Sequence, residues 1–528
     1  MSGKREAAQA DPEAGGAALS PESERGWSRS ATAVGAIVAA ILLVASIRTP
    51  PLYHSNQNTK FLQGLADAWP ERLGGDWTAG TVDGLPVFSA LVEAVARLAP
   101  QAAFYLVEAA LLVVFAVAFV ALARRAAPRE GRSLAFGLGV AGLLGVLAGE
   151  RLREGFDGVA EQYMLGGFLQ PSEFAVLYLP ALLLAADGRR GALLFAAIPA
   201  AVHPAYILLS ALVVATLLWT GWREGRAPHW PEAVLAAAII VVPPIDLALR
   251  FAPTDPVTFA RANDILAFER IPGHSDPAEW LNADAARKIV VALIGIAVAP
   301  RGVLRDVLVA LFAVAALGTA AVALTGSAEI ALVAPWRLSI LIVPVALALA
   351  VGAFAEWLLI RAPVSRRTWR LGLPAVALAA GGWTAAEGLA WKHAAFAAAA
   401  VPPGHIAHVR STAAPGDVYL TSVGDETFRL AARAPQYVTW KTHPYRDTEV
   451  LEWRERIELA RDVFGGQAAD RARGFDCAAL ERLVARDPIT HVVVEADDPG
   501  LAEAEACPLL APAHAGDEAT VFVVAAAP

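Results

Sequence analysis

Long apolar runs, separated by short connections rich in arginine, dominate this sequence. They lie near residues 31–48, 102–123, 133–149, 171–186, 191–202, 204–220, 231–249, 287–300, 304–324, 333–360 and 371–395. A helix that crosses a bilayer needs roughly 20 apolar residues. Backbone polar groups in lipid must be satisfied within the segment, which favours helices for such runs. The pattern predicts a polytopic α-helical membrane protein of about 11 transmembrane segments. Composition agrees. Of 528 residues, 56% are hydrophobic and 18% charged, whereas soluble domains run at roughly a quarter charged. The net charge of −8 comes with no basic stripe interleaved with aromatics, which argues against nucleic acid as a partner.

The connections give an orientation. With the N-terminus in the cytoplasm, the even-numbered connections carry Arg124, Arg125, Arg129 and Arg132, then Arg189 and Arg190, then Arg223 and Arg226. Arg301 and Arg305 follow, then Arg361, Arg366, Arg367 and Arg370. All are short and basic, as cytoplasmic loops are. Fusing residues 191–220 into one span would invert every later loop, so a break is expected at His203-Pro204, where proline interrupts helix bonding. Residues 1–30, rich in Ala, Glu, Ser, Gly and Pro, read as a disordered cytoplasmic tail. The first apolar run follows Arg25 and Arg29 and reads as an uncleaved anchor, with a signal peptide as the alternative. The outer loops are then 49–101, 150–170 and 250–286.

Residues 400–528 change composition and predict a small extracytoplasmic α/β domain. Strands are expected at 418–421, 437–440, 491–495 and 520–524, and helices at 447–463 and 477–486. Within it, Thr439-Trp440-Lys441-Thr442-His443-Pro444-Tyr445-Arg446-Asp447 interleaves aromatics with cations after a predicted strand. Lys441 and His443 are its candidate ligand-binding residues, by charge-assisted bonds and stacking. Cys477 and Cys507 share this outer compartment and are expected to form a disulfide, with free thiols as the alternative.

The first outer loop carries Asn56-Gln57, an amphipathic helix over Thr59 to Trp69, Gly75-Asp76-Trp77, then Asp83-Gly84-Leu85-Pro86-Val87-Phe88 and a second helix over 86–98. This order resembles the GT-C glycosyltransferases, particularly the protein mannosyltransferase and aminoarabinose transferase branch. The resemblance covers the first 100 residues in sequence and the remainder in topology only. It implies a GT-C-like fold and a polyprenyl-phosphate sugar donor drawn from the membrane lipid. It further implies catalysis at the outer face of the cytoplasmic membrane. Where that family has an acidic pair, this chain has Asn56-Gln57, and an amide is no general base. Asp76 and Asp83 are therefore the local catalytic candidates, weighed against cap and turn roles. The C-terminal domain resembles one of uncharacterised bacterial membrane proteins, which implies no activity.

Further candidates come from charge near or inside apolar segments. Arg153 belongs to a mixed cluster with Glu150, Arg151, Glu154, Asp157 and Glu161, and suits a phosphate. Arg337, in Pro335-Trp336-Arg337, is costly in an apolar run unless it serves a ligand or snorkels. The resemblance implies that it contacts a lipid phosphate. His203 is a weaker candidate for the same role. Gly137-Leu138-Gly139-Val140-Ala141-Gly142 lies in an apolar helix without a preceding strand, and reads as helix packing rather than nucleotide binding. His405 and His408 lack metal-ligand spacing, so no metal is expected, and no cofactor is indicated. The alternatives to a transferase are a non-catalytic protein that binds or displays an envelope component, and a transporter.

Overall fold

The protein is described here by a computed structural model covering residues 21–129, 131, 133–361, 366–465 and 474–525. Residues 1–20 of the expected tail, Arg132 and the side chains of Arg361, Arg366, Arg367 and Arg370 lie outside the described residues. Each apolar run forms helix. Among the described residues five are long and apolar enough to cross a membrane by length and composition: Ala103–Arg125, Pro204–Arg223, Trp230–Arg250, Val303–Thr325 and Ala328–Ile360. Ser30–Ser46, Leu134–Leu147, Pro171–Ala186 and Ala192–Val202 are shorter apolar helices. The first helix begins at Pro21, so residues 21–30 continue the apolar helix instead of forming tail. The break at His203-Pro204 is present: one helix ends at Val202, and a tight turn over Pro204–Tyr206 leads into the next.

Small residues set the helix contacts. A Cβ on Gly142 would lie 2.3 Å from the Ala377 carbonyl carbon. The GxGxxG pattern is thus a close-approach face against the helix Arg366–Ala399, as small residues provide where lipid supplies no hydrophobic drive.

Connections gather at two ends. At one end Arg125 pairs with Asp187, Arg223 with Asp306, and the Arg226 guanidinium donates to the Ala185 carbonyl at 3.1 Å. Short basic loops from four hairpins therefore meet there. The loops 49–101, 150–170 and 250–286 meet the C-terminal domain at the other end.

That domain contains a four-stranded sheet of β1 (Tyr419–Leu420), β2 (His491–Glu495), β3 (Leu510–Ala515) and β4 (Ala519–Val524), in the order β1-β2-β4-β3. β1 and β2 are parallel; the other pairs are antiparallel. The run 437–440 is not a strand. The residue before it, Gln436, makes one parallel bridge to Tyr419. β3 escaped sequence reading because Leu-Ala-Pro-Ala-His-Ala has weak strand propensity. Its Pro512 is tolerated on an edge strand, where the register shifts between Pro512 and His514. Helix Asp447–Val463 buries Trp453, whose indole N–H donates to the Thr439 carbonyl at 3.0 Å. Cys477 and Cys507 form a disulfide with Cα atoms 5.6 Å apart.

A buried ion pair joins the first loop to this domain. The Arg429 Nε lies 2.6 Å from Asp76 Oδ2, with the two side chains 1% and 0% exposed. Asp76 also accepts the backbone N–H groups of Gln436 at 2.9 Å and Ala79 at 3.0 Å. Trp77 and Trp69 flank it under the guanidinium groups of Arg456 and Arg433, at 4.4 and 4.5 Å. Removing one partner of such a pair strands a buried charge and costs about 3–5 kcal/mol. Asp76→Ala should therefore lower thermal stability in detergent by that order. Asp76→Ala with Arg429→Met should recover much of the loss. Equal melting of the single variant and wild type would contradict the clamp.

Candidate functional site

A cavity of about 1020 Å³ lies where the two ends of this interface converge. Its lining includes apolar residues, Ile207, Leu208, Leu247, Phe251, Leu332 and Val333, from the ends of apolar helices and the segments beside them. It also includes polar ones: Asn56, Thr59 and Lys60 from the first loop, Glu161, Gln162, Tyr163 and Gln170 from the second, Asn263, Arg270, His274 and Glu279 from the third, and Lys441, His443 and Tyr445 from the C-terminal domain. Ser172, His203 and Arg337 join them from the helical region.

Of the residues expected from sequence, Arg337, His203, Lys441 and His443 are brought together here. Asp76 and Asp83 are not in the lining. Asp76 is held in the clamp described above. Asp83 accepts the Leu85 N–H at 2.6 Å across a tight turn, and its carbonyl accepts from Arg250 at 2.8 Å. Arg153 lies on a short turn over Arg153–Phe156, also outside the lining, where its charge opposes the effect of burial on Asp157. That burial pushes the Asp157 carboxyl up to about 6. Sequence reading named Glu161 and Tyr445 only as members of larger clusters and did not single out Lys60 or Arg270. Each lies in an irregular loop or short helix whose direction no periodicity fixes.

Arg337 is held from one side. Its Nε donates to Gln162 Oε1 at 3.0 Å, and Gln162 Nε2 donates to the Ala160 carbonyl at 3.2 Å. Among the described residues no carboxylate pairs with Arg337. Lys60 likewise has no carboxylate partner there; its Nζ meets the Tyr445 hydroxyl at 2.8 Å. Arg270 donates to the Lys441 carbonyl at 2.8 Å, and Lys441 Nζ stands 4.0 Å from Glu426. Burial holds Lys441 below the ordinary lysine range, although Glu426 opposes the shift.

Glu161 is the carboxylate that reaches this cavity from the second loop. Its backbone and that of Ala160 are left-handed, at φ 55° and 59°. Its carboxylate rests against Gly273, where a Cβ would lie 2.9 Å from Oε2. Ser55 at φ 44° and Ala334 at φ 48° complete a pattern: four of the five left-handed non-glycine residues among those described lie in or beside the lining. Each costs of order 1–3 kcal/mol, and such strain clusters at functional sites. Asn56 Nδ2 donates to the Tyr163 hydroxyl and to Gln170 Oε1 at 3.2 Å.

A family model described as a domain of unknown function, DUF6798, matches residues 405–460, the segment that includes Arg429, Lys441, His443 and Tyr445. No curated protein matches the chain. A crystal structure of ArnT from Cupriavidus metallidurans, bound to undecaprenyl phosphate, is similar over 94% of this chain and 98% of its own. It does so at 14% identity and a TM-score of 0.40. At that score the likeness carries no argument.

His443 makes the site sensitive to acid. Burial, with Arg270 and Lys60 adding to it, holds its imidazole well below the ordinary histidine range. The unfolded chain takes up that proton near pH 6.5. The folded state therefore keeps its full stability above about pH 6.5 and loses it as pH falls below. His443→Asn should flatten the decline in melting temperature between about pH 7 and pH 5. An unchanged slope would remove His443 from the account.

Proposed function

We propose that this protein is a GT-C-like membrane glycosyltransferase that takes a sugar from a polyprenyl-phosphate donor at the outer face of the cytoplasmic membrane. The observation that carries the reading is a cavity whose lining combines apolar residues from the ends of helices with Lys60 and Arg337, two cations without a carboxylate partner among the described residues. A cleft with unmatched positive charge attracts anions, and an anionic headgroup with an isoprenoid tail matches both kinds of lining. The basic-loop rule supplies the orientation, because it puts the opposite end of the helices in the cytoplasm.

In this reading Glu161 takes the proton of an acceptor hydroxyl as that oxygen bonds to the anomeric carbon. The bond from the anomeric carbon to the phosphate oxygen breaks, and its electron pair leaves with the lipid phosphate. That phosphate passes from about one negative charge to nearly two. Lys60 and Arg337 then stabilise the product-like state more than the donor, which lowers the barrier. Asp76 and Asp83 hold the first loop in shape and do no chemistry.

The second reading, a non-catalytic protein that binds a lipid-linked envelope component, is favoured by Asn56, whose amide is spent on Tyr163 and Gln170. Lipid-linked sugar pools and envelope glycans, compared with and without the protein, separate the two. Glu161→Gln should lower turnover by about 10²–10⁴, as loss of a general base does. Glycans and pools that stay unchanged on deletion would sink the transferase.

A further inference from the structure

We infer that the C-terminal domain supplies a ligand-contacting residue to this cavity: the Tyr445 hydroxyl donates a hydrogen bond to the anionic headgroup, with Lys60 and Gly84 as its positioning residues. The inference rests on the lipid-phosphate reading above.

Three observations carry it. First, Lys60 Nζ donates to the Tyr445 oxygen at 2.8 Å, so the phenol is used there as an acceptor. No acceptor for its own proton occurs among the described residues. Tyr445 is 41% accessible, and the surface it exposes includes the cavity that it lines. A hydroxyl that accepts from an ammonium becomes a stronger donor on its remaining side.

Second, the first loop is shaped to admit this ring. A Cβ at Gly84 would stand 3.0 and 3.3 Å from Tyr445 Cδ2 and Cε2, so a side chain there would push the ring. The backbone cannot retreat easily, because Asp83 ties down Leu85 and Arg250 grips the Asp83 carbonyl. The Asp83-Gly84 turn thus gives a glycine to the ring. The His443 ring packs edge-on against it, with centroids 5.1 Å apart.

Third, the charge around it is cationic. Burial alone would raise the phenol, but Lys60, Arg270 and Arg337 outweigh it and set Tyr445 below the ordinary tyrosine range. Once ionised, the phenolate loses its donor and repels an anion. Binding should therefore weaken as pH rises through this titration. Lys441, also below its ordinary range, weakens binding on the same side; the other titratable groups that line the cavity are His443, His203 and His274, the carboxylates of Glu161 and Glu279, and the phenols of Tyr163 and Tyr206. Comparison with a variant lacking only the hydroxyl isolates the contribution of Tyr445.

The test uses the full chain in lipid nanodiscs, titrated with undecaprenyl phosphate as probe and followed by native mass spectrometry. Tyr445→Phe should raise the dissociation constant about tenfold or more, the loss expected for a hydrogen bond to a charged group. It should also shrink the alkaline decline in affinity, a readout that a purely structural tyrosine would not move. Gly84→Ala keeps the hydroxyl but displaces the ring, and should weaken binding in the same direction. Wild-type affinity and an unchanged alkaline decline in Tyr445→Phe, with wild type binding the probe, would overturn this inference alone. No binding of the probe by wild type would overturn the lipid-phosphate reading, and this inference with it.

Discussion

The Asp76–Arg429 pair is the contact on which the functional end of the molecule depends. It is fully enclosed, and the carboxylate accepts two backbone N–H groups besides the guanidinium. A buried pair of this kind adds little net stability over an apolar contact of the same shape. What it adds here is register. With Asp76 fixed against Gln436, Thr59 meets Thr442, the Val82 N–H meets the Glu449 carboxylate, and Lys60 meets Tyr445. The third loop is tied to the same domain by Thr254 on Asp447 and Glu269 on Arg454. The first and third loops thus come to line one cavity, because each is tied to the same domain.

Many charges outside the cavity are paired, such as Arg125 with Asp187, Arg223 with Asp306 and Arg486 with Glu455, while others, such as Arg72 and Lys392, rest on backbone carbonyls. At the cavity Arg337 rests on an amide and Lys60 on a phenol. Backbone strain concentrates at the same place, in Ser55, Ala160, Glu161 and Ala334. Unmatched charge and strained backbone both lower the stability of the unliganded protein. A ligand that relieves the charge is stabilised by the amount the empty protein lacks, which is how local instability becomes affinity.

The architecture was legible in the sequence wherever burial in lipid imposes a continuous apolar run. Every expected membrane segment is helix, and the break at His203-Pro204 follows from proline chemistry. The sheet was legible where β-branched residues cluster, as in β2 and β4, and not in β3, whose Pro512 is tolerated only because the strand lies at an edge. The site was half legible. Arg337 stood out because a charge in an apolar run demands a reason. Lys441 and His443 stood out through their aromatic neighbours. Asp76 drew notice through Gly75-Asp76-Trp77, but that motif serves docking, which depends on Arg429 more than 350 residues away in sequence. By sequence Glu161 is one of six charges in its loop and Lys60 one polar residue of an amphipathic helix, and only the meeting of separate loops gives them a common direction.

The same meeting explains why amides stand at Asn56-Gln57. Gln57 Nε2 donates to the Leu169 carbonyl at 3.2 Å, while its Oε1 accepts the His54 N–H at 3.1 Å. Asn56 donates to Gln170 Oε1 and to the Tyr163 hydroxyl. An ionised carboxylate accepts and cannot donate. At position 57 it would face the Leu169 carbonyl oxygen at hydrogen-bond distance and leave that contact between the first and second loops repulsive. The Gln57 amide thus suits the seam that brings the second loop against the first. That seam positions Tyr163 and the stretch that carries Glu161 at the cavity wall.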